Sequence, residues 1–352
     1  MAVADRKTEG RPRALFPRWL LRSGVTVGSI AVTMLGLLFV TFMIGRVMPV
    51  DPVLAIVGDR ASAEVYQQVY ERLGLDRPLI VQFAIYLGDV VRGDFGMSIL
   101  TARPVAEDIA RVFPATLELA TLGTVIGVAF GVPLGVVAAV RRGSWIDQIA
   151  RVVALVGYSM PIFWLGLMGL LIFYGILGWV GGPGRVSIFY ADMVPPVTGM
   201  ILVDSALDGN WTVFRDALSH IVLPAALLGY YSLAYISRMT RSFMLEQLSA
   251  EYVTTARVKG MSEWAVIWGH AFRNIRVQLI TVVALSYAGL LEGSVLTEII
   301  FSWPGIGSYI TTALLSADMN AVLGGTVVVG LVFVLLNVAS DLLYKFLDPR
   351  AK

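Results

Sequence analysis

Residue types that do chemistry are scarce in this sequence. Its lysines are Lys7, Lys259, Lys345 and Lys352, and none follows a glycine. A phosphate-cradling loop needs a Gly-Lys-Ser/Thr step, so the chain carries no P-loop and is not expected to hydrolyse ATP. Cysteine is absent, which removes disulfides, thiolate metal sites and a thiol nucleophile. His220 and His270 are well separated and offer no ligand cluster, so no metal site is expected. No HExxH, GxSxG or intramembrane pair of catalytic acids occurs. What remains is Glu292 and Glu298, in the apolar stretch LLEGSVLTEIIFSWPGIG. A carboxylate in lipid costs about 2.5–3.5 kcal/mol on insertion scales. Each of the two must face a polar pathway, pair with Arg or backbone donors, or lie at a helix end. Pro304, Gly305 and Gly307 break the helix and predict a re-entrant turn within residues 299–318. Glu292, Glu298, Ser302, Trp303, Pro304 and Gly305 are therefore candidates for a translocation pathway.

The composition names the solvent of the frame that holds these groups. Of 352 residues, 57% are hydrophobic and 15% charged, with net charge +2. Soluble proteins sit nearer 45–50% apolar and about 25% charged. A soluble enzyme, a disordered chain and a nucleic-acid binder are excluded together, the last because no large basic field exists. A helix needs about 20 mostly apolar residues to cross a bilayer. Six charge-poor intervals qualify: Ser23–Gly45, Leu119–Val140, Val152–Gly184, Ala217–Ser237, Val277–Leu296 (interrupted by Glu292) and Ala321–Ser340. The first reads as a retained anchor. In the fourth, the polar start Ala217–His220 predicts entry into lipid near Ile221, with Pro224 in the first turn.

Orientation follows from Lys and Arg in the short flanks. The tail 1–22, the Arg141–Arg151 connection, the Arg238–Arg276 connection and the tail 344–352 hold most of the 27 basic residues. These four lie on one side of a six-pass chain, predicted to be cytoplasmic with both termini there. Residues 46–113, with seven basic and nine acidic residues, form the opposite, external domain. Within it, Val65, Val69 and Leu73 align on one helix that stops at Gly74. Pro78 opens a second, with Ile80, Phe83 and Leu87 aligned. The segment 180–217 has turn signals at Gly181–Gly184 and Pro195–Pro196 but no legible role. Residues 114–343 make the transmembrane core of five helices.

The connection RMTRSFMLEQLSAEYVTTARVKGMSEWAVIWGHAFRNIR is longer than a topological link requires. Two helical patterns flank Gly260, which permits a sharp turn, and Ser262 is placed to cap the second helix. Such a short helix can dock in a groove on a soluble partner, or be a solvated amphipathic linker. At this loop the sequence resembles the permeases of binding-protein-dependent ABC importers, in the dipeptide/oligopeptide/nickel branch. Ala256-Arg-Val-Lys-Gly260 matches the family's Ala-x3-Gly signature, and EYVTTARVKGMSE and HAFRN match its peptide form. LGLDRPLIVQFAIYLGDVVRGDFGMS, PVAEDIARVFPATLELA, GVPLGVVAAVRRGSWID, TEIIFSWPGIGSYITTALLSADM and DLLYKFLDPR extend the resemblance from about Arg18 to Arg350. Where many members have Leu-Pro after the HAxRN stretch, this chain has Gln278.

The resemblance implies an all-α membrane protein of six transmembrane helices, like a type I ABC importer permease, with a helical external domain between helices 1 and 2. It implies a bacterial inner-membrane subunit that forms half of a peptide pathway with a second homologous permease. Two ABC ATPase subunits would bind ATP and Mg, while this chain binds no cofactor. An external binding protein would deliver substrate. The implied ATPase-coupling loop comprises Glu251, Tyr252, Thr255, Ala256, Lys259, Gly260, Met261, Ser262, His270 and Asn274. The alternative from the residues alone is a self-sufficient, ion-coupled secondary transporter.

Overall fold

The computed structural model describes residues 18–47, 52–58, 60–72 and 74–347. The basic residues before Arg18 and those at 350 and 352 lie outside them, as does Leu73. In chain order the helices are α1 (Arg18–Val47), α2 (Pro52–Val57), α3 (Ala63–Arg72), α4 (Leu79–Val91), α5 (Val105–Val140), α6 (Trp145–Ser159) and α7 (Ile162–Gly169). Then come α8 (Ile201–Leu207), α9 (Trp211–Leu248), α10 (Glu251–Val258), α11 (Phe272–Gly293), α12 (Val295–Ile300), α13 (Ile306–Leu315) and α14 (Met319–Leu347). A π-helical turn, Ala265–Ala271, leads into α11, and another, Leu170–Ile176, continues α7. No strand occurs among the described residues.

Among the described residues, five helices are long and apolar enough to cross a membrane: those containing Gly28–Gly45, Val105–Val140, Trp211–Leu248, Ala265–Gly293 and Met319–Ser340. The third expected interval is not one straight helix. It is the pair α6 and α7, bent by 99° at Met160–Pro161. Proline has no N–H to continue the helix and pushes the residue before it to extended backbone. Met160 is extended, with ψ 133°. The fourth interval also needs correction. Its helix begins at Trp211, so Pro224 lies in the helix interior and not in its first turn. Asn210 caps that start by accepting from Val213 N–H at 3.2 Å. Protein already covers Val213, Ala217 and His220, so the helix forms before the apolar stretch begins.

The most extensive interhelical packing joins α5 to α9. Gly123, Gly127, Gly131 and Gly135 recur every four residues and line one ridge of α5. A methyl group on Gly135 would sit 2.6 Å from the Ser237 carbonyl, and one on Gly131 3.1 Å from the Leu233 carbonyl. Small residues at this spacing let backbones approach, the main source of helix association where lipid is as apolar as leucine. Ser232 and Ser286 hydroxyls, 2.8 Å apart, tie α9 to α11.

Outside the spans, α4 packs on α1 through Phe39–Phe83 and Phe42–Tyr86 rings, with centroids 5.5 and 5.6 Å apart. Of the expected face on α4, Phe83 makes this contact, whereas Ile80 is 83% exposed. No residue of α3 is fully buried: of its expected face, Val65 is exposed and Val69 half-buried. Gly74 (φ +65°) follows α3, and Pro78 opens α4, as the turn chemistry predicts.

Candidate functional site

The connection between α9 and α11 is mostly helix. The helix α9 continues past Arg238 to Leu248, and α11 reaches back through its π-helical turn to Ala265. Between them α10 is anchored from below. Val253, Ala256 and Val266 are buried against one another with Leu248 packed on them, so both flanking helices hold α10. Its far end turns at Gly260, whose φ of +78° is the left-handed region that glycine enters without strain. Gly260 N–H donates to the Arg257 carbonyl (2.9 Å) and Met261 N–H to that of Ala256 (3.2 Å). Arg257 and Glu263 pair across the turn at 2.8 Å. Ser262 Oγ accepts from Ala265 N–H at 3.4 Å. Trp264, Trp268 and Phe272 pack in a row with their rings tilted to one another, centroids 5.5 and 5.0 Å apart.

Of the residues assigned to this loop from sequence, only Ala256 is buried. Glu251, Tyr252, Thr255, Lys259, Gly260, Met261, Ser262 and Asn274 are exposed, and His270 is half-buried. Tyr252 Oη donates to Gln247 Oε1 at 2.8 Å. Two exposed apolar residues were missed: Val258 (83%) and Trp264 (73%). The available signal was an apolar residue on each side of Gly260 in an otherwise charged stretch.

The second cluster lies at the opposite end of α11, where the chain turns between α12 and α13. Glu298 is fully buried. Its Oε1 accepts from Thr116 Oγ1 (2.7 Å) and Ser294 Oγ (2.9 Å), and its Oε2 from Ser308 N–H (2.8 Å). Thr116 Oγ1 in turn accepts from Ile306 N–H at 2.9 Å. Trp303, also fully buried, donates Nε1–H to the Ala115 carbonyl at 2.9 Å. Gly305 has no room for a side chain, since a methyl group there would meet the Glu298 carboxyl and, at 2.5 Å, Thr116 Oγ1. Of the fates open to a carboxylate here, Glu298 shows satisfaction by hydroxyl and backbone donors. Ser302 and Pro304 are exposed beside it. Glu292 is separate and exposed, on the wall of a ≈ 300 Å³ apolar cavity that α1, α5, α11 and α14 share.

Sequence reasoning missed the group that joins this turn to the segment 180–217. Arg185 Nη2 donates to Glu118 Oε2 (2.6 Å) and to the Gly199 carbonyl (2.9 Å). Glu118 Oε1 accepts from Leu202 N–H at 2.8 Å. The Arg185 guanidinium lies 5.6 Å from the centroid of the Trp303 ring. Asp204, 3% exposed, accepts from Val197, Thr198 and Gly199 N–H and from the Thr198 hydroxyl. Burial alone would raise its pKa, but these donors prevail and hold it below the ordinary carboxylate value. Residues 180–217 are thus fastened into the bundle and are not a free loop.

Comparison with known proteins adds the following. The family described as "Binding-protein-dependent transport system inner membrane component" matches residues 131–352. Its N-terminal companion, "Binding-prot-dependent transport system membrane comp, N-term", matches residues 17–120. The "Probable D,D-dipeptide transport system permease protein DdpB" of Escherichia coli K12 is 44% identical, over 90% of this chain and 92% of its own length. The "Dipeptide transport system permease protein DppB" of the same strain is 42% identical, over 93% and 97%. The "Di/tripeptide transport system permease protein DppB" of Pseudomonas aeruginosa is 41% identical, over 93% and 97%.

Proposed function

This chain belongs to the family of binding-protein-dependent transport system inner membrane components, and from that premise we propose that it is the permease subunit of an ATP-driven importer of di- or oligopeptides. The observation that carries the peptide assignment is end-to-end similarity to permeases named for dipeptide transport. The chain is a multi-pass membrane protein of a transport family and not an enzyme. The ion-coupled alternative is not favoured by that membership.

In the proposed assembly this subunit and a second, homologous permease enclose the pathway. Two ATPase subunits bind ATP and Mg beneath them, and an external binding protein delivers the peptide. Both termini and α10 face the cytoplasm, as the basic flanks require. The α10–Gly260 turn sits in a groove of one ATPase. What supports this role is a short helix, anchored on one side by Val253 and Ala256, with apolar residues exposed on the other. ATP-driven closure of the ATPases displaces the turn and shifts the pathway between inward- and outward-facing states. The chain supplies contacts that differ between two states, and no chemistry. Glu292, Ser302 and Pro304 are its exposed candidates for the pathway wall, with Glu298, Trp303 and Gly305 behind them as support.

The test is uptake of a peptide-length series in cells lacking this gene and in complemented cells, with the complex purified in parallel. Co-purification with a P-loop ATPase and ATP-dependent uptake of short peptides are expected. Uptake by the isolated chain driven by a proton gradient would overturn the assignment.

A further inference from the structure

A pocket of ≈ 430 Å³ lies between α5, α6 and α9, near the α10 end of the bundle. Leu134, Ala138, Ala154 and Leu155 give it apolar walls, while Arg151, Arg238 and Arg241 bring three guanidinium groups to it. A single carboxylate answers them. Asp147, 1% exposed, accepts from Arg241 Nε (2.7 Å) and Nη2 (2.9 Å) and from Gly143 N–H (3.0 Å), while Arg151 Nε stands 3.7 Å away. Asp147 is therefore consumed by Arg241 and shared weakly with Arg151. Arg238 makes no ion pair among the described residues. Its guanidinium lies 5.0 Å from the Tyr158 ring centroid and 5.9 Å from that of Tyr235. Ring contacts of this kind hold a guanidinium in place without using its N–H donors. The result is an exposed cation with no ion-pair partner among the described residues, beside apolar walls.

We propose that this pocket binds the phosphodiester headgroup of an anionic phospholipid, with Arg238 as the principal ligand and Arg151 assisting. Arginine matches two phosphate oxygens with paired N–H groups. Basic pockets between helices on the cytoplasmic side suit anionic headgroups. A lipid is favoured over a soluble anion because the pocket opens beside an exposed apolar face of α6, with Leu155 in its wall. There Val152 and Leu155 are 56% and 65% exposed, a surface for an acyl chain that a soluble anion would leave unused. The inference rests on the proposed orientation, which puts this end of the bundle at the inner leaflet. Its test is a binding measurement, so its failure would leave the uptake experiment untouched.

The experiment uses the assembled transporter in nanodiscs of phosphatidylcholine with graded phosphatidylglycerol, reading protein-bound phosphatidylglycerol by native mass spectrometry. The wild type should retain it preferentially. Arg238→Gln should weaken retention about fivefold, the equivalent of ~1 kcal/mol per basic residue at an anionic surface. Arg238→Lys should fall between, and Arg273→Gln, exposed elsewhere on the same side, should match the wild type. If Arg238→Gln does not fold, Arg151→Gln, whose side chain is 56% exposed, carries the same test. Unchanged retention in the folded variant would overturn the proposal. Displacement by free glycerol 3-phosphate as effectively as by the lipid would overturn it in favour of a soluble-anion site. Displacement by dialanine would overturn it in favour of a substrate site.

Discussion

Substitution of Gly260 separates backbone geometry from partner contact at the proposed coupling turn. Its φ is +78°, and a Cβ built there meets nothing within 4 Å of the rest of the chain. Steric room inside the chain is therefore not the constraint. An L-residue in the left-handed region costs about 1–2 kcal/mol, less for Asn and Asp and more for a β-branched side chain. At 1.4 kcal/mol per tenfold change, Gly260→Ala should lower the ratio of ordered to disordered turn by roughly 5- to 30-fold. Gly260→Val should lower it further, and Gly260→Asn should stay near the wild type on backbone grounds. The Asp variant pays a similarly small backbone cost but adds charge to the face offered to the ATPase. It should abolish uptake while membrane insertion stays normal. The assay is proteoliposomes holding the complete transporter, with peptide uptake and phosphate release read from the same sample. Loss of uptake with retained hydrolysis is expected for Val and Asp. Loss in Asn as well would assign the position to close approach by the partner. Wild-type uptake per ATP in both Val and Asp would refute the reasoning.

Gly135→Ala should destabilise the α5–α9 pair by about 1–3 kcal/mol, because its methyl group must displace backbone at the Ser237 carbonyl; thermal unfolding in detergent reads this as a lower Tm. Glu118→Ala should cost about 3–5 kcal/mol by stranding a mostly buried Arg185. Adding Arg185→Met should recover part of the loss, and equal melting of the single and double variants would count against the ion pair. The depressed pKa of Asp204 means that its stabilisation is full above the ordinary carboxylate range and lost as pH falls below about 4. Asp204→Asn should melt lower at neutral pH and show a flatter acid limb, and an unchanged acid slope would sink the assignment.

The spans were legible because charges bracket them, as Arg22 and Arg46 bracket the first. The same device hid the outer cluster. Glu118 served as the edge of an apolar interval, yet it is a 4%-exposed carboxylate neutralised by a residue far along the chain. No local pattern reports a pairing across that separation, and Arg185 likewise entered only as the end of the next interval. Hydropathy locates lipid, not helix starts, so α5 and α9 begin well before the apolar residues do. Two signals were readable and went unread: the four-residue spacing of Gly123 to Gly135, and Pro161 inside an otherwise uniform apolar run. The Gly260 turn was legible because its determinants are local, a left-handed glycine followed by the capping Ser262.

Two continuous elements leave the α10 turn. One is α9, whose 38 residues span about 57 Å. At its other end it meets the segment 180–217, where Asp216 accepts from Ser187 N–H (2.7 Å) and Oγ–H (2.6 Å). The other is α11, which ends at Ser294 against the Glu298 carboxylate. Both begin at one anchor, because Leu248 of α9 and Val266 ahead of α11 pack on the same face of α10. They also converge. Thr116 and Glu118 of α5 hold, respectively, the α12–α13 turn and the segment containing Arg185, and Trp303 lies beneath that guanidinium. In the proposed coupling, a displacement of α10 would act on both routes at once and meet a far end tied together by the buried Glu118 and Glu298 hydrogen bonds. Sliding one route against the other would break several of these bonds together. At the α6–α7 joint, by contrast, Pro161 has no N–H for the hydrogen bond that a straight helix would make, and the chain bends by 99° there.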